Sequence, residues 1–376
     1  MDIDAAYYDS IDLLKRLIAV PSFSREENAA ADLLENYFAE LKLSPRRKGN
    51  NIYLFSQKWA DSKPVILLNS HIDTVRPTNG WTRQPFLPSE EEGKLYGLGS
   101  NDAGASLVAL FQTFMALNEL DEDNNFIFLA SAEEEISGAN GIESVLPDLP
   151  EIALGIVGEP TEMQPAVAEK GLMVLDGIVR GKSGHAARNE GENAIYKAIP
   201  VIEWFRSKQF PKISPLLGAV KMTVTQIEAG RLHNVVPDEL RFTVDVRPNE
   251  FYGNAELLEE ISASCGCEII ARSVRLNSSS IAENHPLVER ALMLGLQPFG
   301  SPTLSDRALM RFPALKIGPG ASSRSHSADE FVFTSEIREA IDIYIRLLKG
   351  LKISYGKSSP FGLSGTNKTS LPPNLI

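Results

Sequence analysis

The sequence predicts an α/β protein in which a mostly parallel, doubly wound main domain is interrupted by a smaller ferredoxin-like α+β domain. Three observations lead there. Helical and extended patterns alternate through the first half, an extended-helical-extended-extended-helical-extended order fills the middle, and βα material resumes near the end. At 376 residues the chain exceeds the usual size of one core, and 43% apolar content is enough to fill two.

Residues 9–19 space Ile11, Leu13, Leu14, Leu17 and Ile18 near the helical period, and residues 28–41 repeat it with Leu33, Leu34, Tyr37, Phe38 and Leu41. Extended runs follow at 51–56, 65–69, 126–131 and 154–158, with a helix expected over 106–117. Strands alternating with helices lie mostly parallel, and such sheets collect ligands beyond their carboxyl ends. The texture then changes: extended 173–179, helical 193–205, extended 219–227, extended 240–246, helical 255–263 and extended 268–274. Residues 1–170 are therefore read as the first part of the main domain and 171–280 as an insertion. Residues 281–350 form its second part, with a helix at 285–294, a strand at 314–317 and a closing helix at 334–348. Residues 351–376, rich in Ser, Pro, Gly and Asn and without periodicity, are expected to form a loose tail.

Charge narrows the function classes. Lys and Arg total 37 against 49 Asp and Glu, a formal charge of −12, which repels phosphate backbones and anionic lipid. Nucleic acid and membrane are poor candidate partners, and a small molecule fits better. The start, Met1-Asp2-Ile3-Asp4, lacks the basic and apolar regions of a signal peptide, so the cytoplasm is the expected compartment. Cys265 and Cys267 are too few for a thiolate metal site and read as reduced, structural thiols.

Five side chains suited to divalent metal, His71, Asp102, Glu135, Glu159 and His326, are strung along the chain, most of them just beyond apolar runs. Val65-Ile66-Leu67-Leu68-Asn69-Ser70-His71 ends a strand in an imidazole, and Asp73, two residues on, could hold its other nitrogen. Asp102 sits among Gly97, Gly99 and Gly104, where the backbone can pass close to a site and a carboxylate offers two oxygens. Glu133-Glu134-Glu135 follow a buried strand and repel one another unless a cation sits among them. Glu159 ends another strand before Pro160, and His326 lies in a glycine-rich loop. Each has a plainer reading, as a strand-end His, a capping Asp or a solvated acidic loop. Five at βα-type junctions are hard to ascribe to chance.

Together Ser70-His71-Ile72-Asp73-Thr74-Val75, the segment 97–104, Ala132-Glu133-Glu134-Glu135, Gly158-Glu159-Pro160-Thr161 and Ser325-His326-Ser327-Ala328-Asp329-Glu330 resemble the acetylornithine deacetylase and succinyl-diaminopimelate desuccinylase family of dinuclear zinc amidohydrolases. The resemblance spans about residues 8–350. It implies two divalent ions, zinc or alternatively cobalt or manganese, bridged by Asp102, with His71 and Glu159 completing one site and Glu135 and His326 the other. Glu134 matches the family's general base, and the middle domain its lid and dimerisation domain. His185, in Gly181-Lys182-Ser183-Gly184-His185, resembles the lid histidine that reaches a partner subunit's site; on its own it reads as a surface-loop His. Asn234 and Arg247 resemble substrate-contacting lid residues, and Arg307 falls in a segment similar to one near the substrate pocket.

The expected activity is hydrolysis of the amide of an N-acyl-amino acid by a cytoplasmic homodimer, N-acetyl-L-ornithine or an N-acyl-citrulline first, in arginine biosynthesis. A desuccinylase of the succinyl-diaminopimelate type, then a dipeptidase or carboxypeptidase, are the alternatives. A noncatalytic scaffold, the remaining class, should have lost a ligand or the base, and this chain has lost none.

Overall fold

The computed structural model describes residues 3–188 and 190–355. Most of the expected tail, from residue 356 on, lies outside the described residues. The central sheet runs in the order Arg46–Lys48, Asn51–Phe55, Asn125–Ser131, Val65–His71, Leu154–Val157, Ala314–Lys316, Ala166–Glu169, Ser279–Ser280, with Phe299–Ser301 also pairing Ala166–Glu169. Its middle is parallel: Val65–His71 pairs in parallel with Asn125–Ser131 and Leu154–Val157, and Leu154–Val157 with Ala314–Lys316. The Asn51–Phe55 and Ser279–Ser280 pairings are antiparallel.

Val65–His71 and Asn125–Ser131 are buried at every position because both faces of the sheet are covered, which is why they read as unbroken apolar runs. On one face lies the helix Ala105–Asn118, apolar nearly all round because it sits beneath Ile3–Ile18 and Thr334–Leu348. On the other, Leu67, Ile127 and Leu129 pack with Ile142, Val145 and Met310. The chain leaves Val65–His71 for a strand on one side and then crosses to the other, so His71 ends the strand where the winding reverses. A crevice opens beyond that point in sheets of this kind.

The middle of the chain forms a four-stranded antiparallel sheet in the order Lys221–Ala229, Glu239–Arg247, Met173–Arg180, Glu268–Ala271. The helices Ala194–Ser207 and Asn254–Ser264 belong to it, and Leu175, Phe205, Phe242, Val244, Leu257 and Ile261 form a core of its own. Among the described residues no helix is long and apolar enough to cross a membrane.

Several features departed from sequence expectation, among them the short strands Arg46–Lys48, Ala166–Glu169, Ser279–Ser280 and Phe299–Ser301 of the central sheet. The first helix begins at Ile3 rather than near residue 9. A small three-stranded sheet, Phe331–Phe333, Lys94–Tyr96 and Ser89–Glu91, was also not foreseen, its strands being three residues long. It matters for the site, because one strand leads toward Asp102 and another follows His326.

Candidate metal centre and active site

Each candidate ligand is delivered by a chain reversal beyond a strand or before a helix. His71 ends its strand, and Asp102 lies in a wide turn, Ser100–Gly104, just before the central helix. That turn is entered through Gly99 at φ 76°, where a Cβ would press to 2.6 Å from Thr74 Cγ2, so glycine alone fits. Glu135 lies in the short turn Glu134–Ile136 after Asn125–Ser131, and Glu159 two residues beyond Leu154–Val157. His326 takes a left-handed conformation, φ 56°.

The structure brings the five together. His71 Nε2 lies 3.3 Å from Asp102 Oδ1 and 3.8 Å from Glu159 Oε1. His326 Nε2 lies 2.9 Å from Glu135 Oε2 and 3.6 Å from Asp102 Oδ2. Asp102 thus turns one oxygen to each imidazole, a two-sided arrangement in which a carboxylate can bridge two cations. Glu134 approaches as well: ligand atoms of His71, Glu134 and Glu159, and of His71, Asp102 and Glu135, fall within 4.8 Å of one another. The direct pairing with His326 assigns Glu135 to the second half and leaves Glu134 beside the first.

Electrostatics favour a cation here. Burial and the neighbouring Glu159 hold the Glu134 carboxyl well above the usual range, burial also raises Glu135, and burial pushes Glu159 from 4.5 to about 8. Burial pulls His71 down, but Asp102, Asp73 and the nearby glutamates outweigh it and raise the imidazole well above 6.5. The hydrogen bond to Glu135 lifts His326 to about 9. Four acids and two imidazoles held this closely are stabilised by protons that divalent ions would displace. Glu159 Oε1 is buried and, among the described residues, has no hydrogen-bond partner. The oxygen and imidazole donors match zinc, cobalt or manganese, so the residues fit a pair of such ions.

The supporting groups are more specific than the sequence suggested. His71 Nδ1 donates to the backbone carbonyl of Asp73 at 2.9 Å, leaving Nε2 free for a metal, while the Asp73 carboxylate is farther away, at 3.5 Å. That carboxylate instead accepts the amides of Glu134 at 3.0 Å and Glu135 at 3.1 Å and the Ser24 hydroxyl at 2.7 Å. Asp73 therefore orients the acidic turn as much as the histidine. Glu330 accepts the amides of Gly99, Asn101 and Asp102 at 3.0, 2.8 and 3.0 Å and so shapes the Asp102 turn. Burial raises it to about 8, against the pull of those amides. Asp306, buried and near enough for its charge to help raise the Glu134 carboxyl, accepts from Asn69 at 3.0 Å and Ser131 at 2.7 Å. Sequence reading missed the roles of Ser24, Glu330 and Asp306. For Glu330 the one signal was its place at the end of the His326 motif, and for Asp306 adjacency to Arg307.

The remaining expected residues lie apart from this cluster. His185 is exposed, its backbone paired with Val235 and its Nδ1 accepting the Ala187 amide at 3.1 Å. Asn234 is exposed, and its carbonyl accepts the Ala186 amide. Arg247 makes a two-pronged pair with Asp245 at 2.8 and 3.0 Å. Among the described residues no hydrogen bond or ion pair joins these three to the five candidate ligands. Arg307, expected near the substrate pocket, is 1% exposed and donates to the carbonyls of Ala166 at 2.7 Å and Val167 at 2.9 Å, so its guanidinium is engaged with that strand.

The profile of Peptidase family M20/M25/M40 matches residues 67–350. The chain belongs to this family. It is 27% identical over 376 residues to the acetylornithine deacetylase of Shigella sonnei, covering 90% of this chain and 96% of that one. It is also 27% identical to the succinyl-diaminopimelate desuccinylase of Cereibacter sphaeroides, covering 91% and 98%. Among solved structures, aminopeptidase PepT of Bacillus cereus superposes with a TM-score of 0.74 at 18% identity, over 92% of this chain and 98% of that one. The Bacillus subtilis YXEP protein, described as a dinuclear metal binding peptidase of the M20 family, gives 0.69 at 17% identity, over 93% and 98%. This M20 member is accordingly a hydrolase of amide bonds.

Proposed function

We propose that the protein hydrolyses the amide of an N-acyl-amino acid, N-acetyl-L-ornithine or a close N-acyl-citrulline equivalent first, in the cytoplasm and in the service of arginine biosynthesis. The observation that carries the reading is the Asp102 carboxylate turned toward His71 on one side and His326 on the other. His71, Asp102 and Glu159 would hold one divalent ion, and Asp102, Glu135 and His326 the second. Zinc is the expected metal, with cobalt or manganese sharing the same donors. Bound there, two such ions would acidify a water and polarise the scissile carbonyl.

The chain's own residues supply the rest. Glu134, whose proton affinity is raised by burial, takes the proton from the attacking water and returns it to the departing nitrogen. Water attack forms the C–O bond, the C–N bond breaks, and the proton leaves on the amine. His185, contributed across a homodimer formed through the middle domain, donates to the oxyanion. A substrate carboxylate meets Arg247 by exchange with Asp245, one two-pronged carboxylate contact replacing another, and Asn234 positions the acyl end.

A desuccinylase acting on succinyl-diaminopimelate-type substrates is the second reading, favoured by the relative of that name at equal identity. Acetate release from N-acetyl-L-ornithine and succinate release from N-succinyl-diaminopimelate, measured side by side on protein of defined metal content, separates the two. Inertness toward both would refute the biosynthetic reading and turn attention to dipeptides.

A further inference from the structure

Four consecutive amides carry the backbone out of the strand Asn125–Ser131 and into the catalytic turn, and each donates to a side-chain oxygen from elsewhere in the chain. Ala132 N–H donates to Asn51 Oδ1 at 2.9 Å, Glu133 N–H to Glu27 Oε1 at 3.2 Å, and Glu134 and Glu135 N–H to the two oxygens of Asp73. No strand or helix ladder holds these four amides, so side chains satisfy them, while the Ser137 and Gly138 amides close the turn onto the carbonyls of Glu134 and Glu133.

Glu27 is the unexplained member. It is 0% exposed, and among the described residues it has no cationic partner within ion-pair distance. Its Oε1 also accepts the Arg25 amide at 2.6 Å, and its Oε2 the Asn50 side-chain amide at 2.9 Å. Burying a carboxylate this way is costly, and three donors from three separate segments are what offset it. Its remote partner, Glu133, holds φ 56°, a left-handed conformation that is unfavourable for a non-glycine residue. The Glu133 side chain closes the loop on Asn140, and a Cβ at Gly138 would collide with it. Glu133 is thereby committed to shape, and its backbone twist points the next two residues toward the centre.

We propose that Glu27 is a positioning residue for the catalytic turn: its carboxylate fixes the Glu133 amide, and with it the backbone from which Glu134 and Glu135 reach the active site. The inference rests on the reading of Glu134 as the base. Glu27→Gln keeps an oxygen for the Arg25 and Glu133 amides, and Asn50 can turn its amide to meet the new NH2. Glu27→Ala removes all three contacts. Glu27→Asp can keep the nearby Arg25 amide but falls short of Glu133.

The test uses the full, metal-loaded chain and three readouts: kcat and KM on N-acetyl-L-ornithine, bound metal per chain, and amide hydrogen exchange over residues 132–138 against the core strand 65–71. The alanine variant should lose about 10- to 100-fold in kcat with KM within about threefold and metal content retained. Exchange over 132–138 should quicken about tenfold while 65–71 is unchanged, and the glutamine variant should recover most of both losses. Wild-type exchange and kcat in the alanine variant, uniform acceleration across both segments, or a glutamine variant as impaired as alanine would each overturn the proposal. If the alanine chain does not fold, the aspartate variant takes its place with the same expectations. Should wild type hydrolyse no N-acyl-amino acid, the functional reading fails while the exchange measurements still decide the role of Glu27.

Discussion

Stripping the metal ions should make the protein's stability fall as pH rises, and Glu159, one of several buried groups raised in the same direction with Glu134, Glu135, Glu330 and His71, carries a part of the effect that a substitution can isolate. Burial raises its pKa from 4.5 to about 8, so between those values the metal-free fold holds a proton that the unfolded chain has already released. An acid with a raised folded pKa contributes stability that is complete below its unfolded value and is lost as pH climbs through the folded one. The loss is about 1.4 kcal/mol per pH unit for one such group. From pH 5.5 to 7.5 that amounts to about 3 kcal/mol, and with an unfolding entropy of about 0.8 kcal/mol/K for a chain this long, to about 4 °C in Tm. His326, raised to about 9, adds in the same direction above its ordinary 6.5, whereas the lowered Asp73 and Asp102 act only below 3.8. Bound metal requires Glu159 as the carboxylate, so the slope should flatten in the loaded protein and the stabilisation by metal should grow with pH. Calorimetry on chelated and loaded protein across that range measures it directly. Glu159→Gln should remove the Glu159 part of the slope in the chelated state. Equal slopes for chelated wild type and chelated Glu159→Gln would refute the reasoning.

Three further outcomes are expected. Glu134→Gln should lower kcat by about 10²- to 10⁴-fold while metal analysis still finds the wild-type content, because it removes a proton carrier and no ligand. Arg307→Ala should cost about 3 kcal/mol in a urea titration, the loss of two charge-assisted bonds to Ala166 and Val167, and leave KM within about twofold; a selective rise in KM would return Arg307 to the substrate pocket. Subunits carrying His185→Ala mixed with subunits carrying Glu134→Gln should regain part of the activity if His185 serves the partner's site, and a verified heterodimer without recovery would show that it does not.

The residues differ in how readable they were. His71 and Glu159 were legible because a buried parallel strand leaves an unbroken apolar run, and a polar side chain just beyond it stands at the edge where such sheets place ligands. Arg307 was not, since a charged residue after an aspartate reads the same whether its guanidinium faces solvent or the carbonyls of a strand 140 residues away. Asp73 falls between: its proximity to His71 was evident, but its carboxylate is spent mainly on Glu134 and Glu135, 61 and 62 positions further on.

What the sequence by itself determined was the fold class and the chemical type of the donors, because helical and strand periods are local and a ligand's identity belongs to its residue. Only the tertiary structure decided how those donors are shared. Asp102 divides its oxygens between two histidines because Glu330, 228 positions away, fixes its backbone, and the acidic turn takes its shape from Asn51, Glu27 and Asp73. Hydrogen bonds between side chains and distant amides have no period, so they leave no pattern along a single chain.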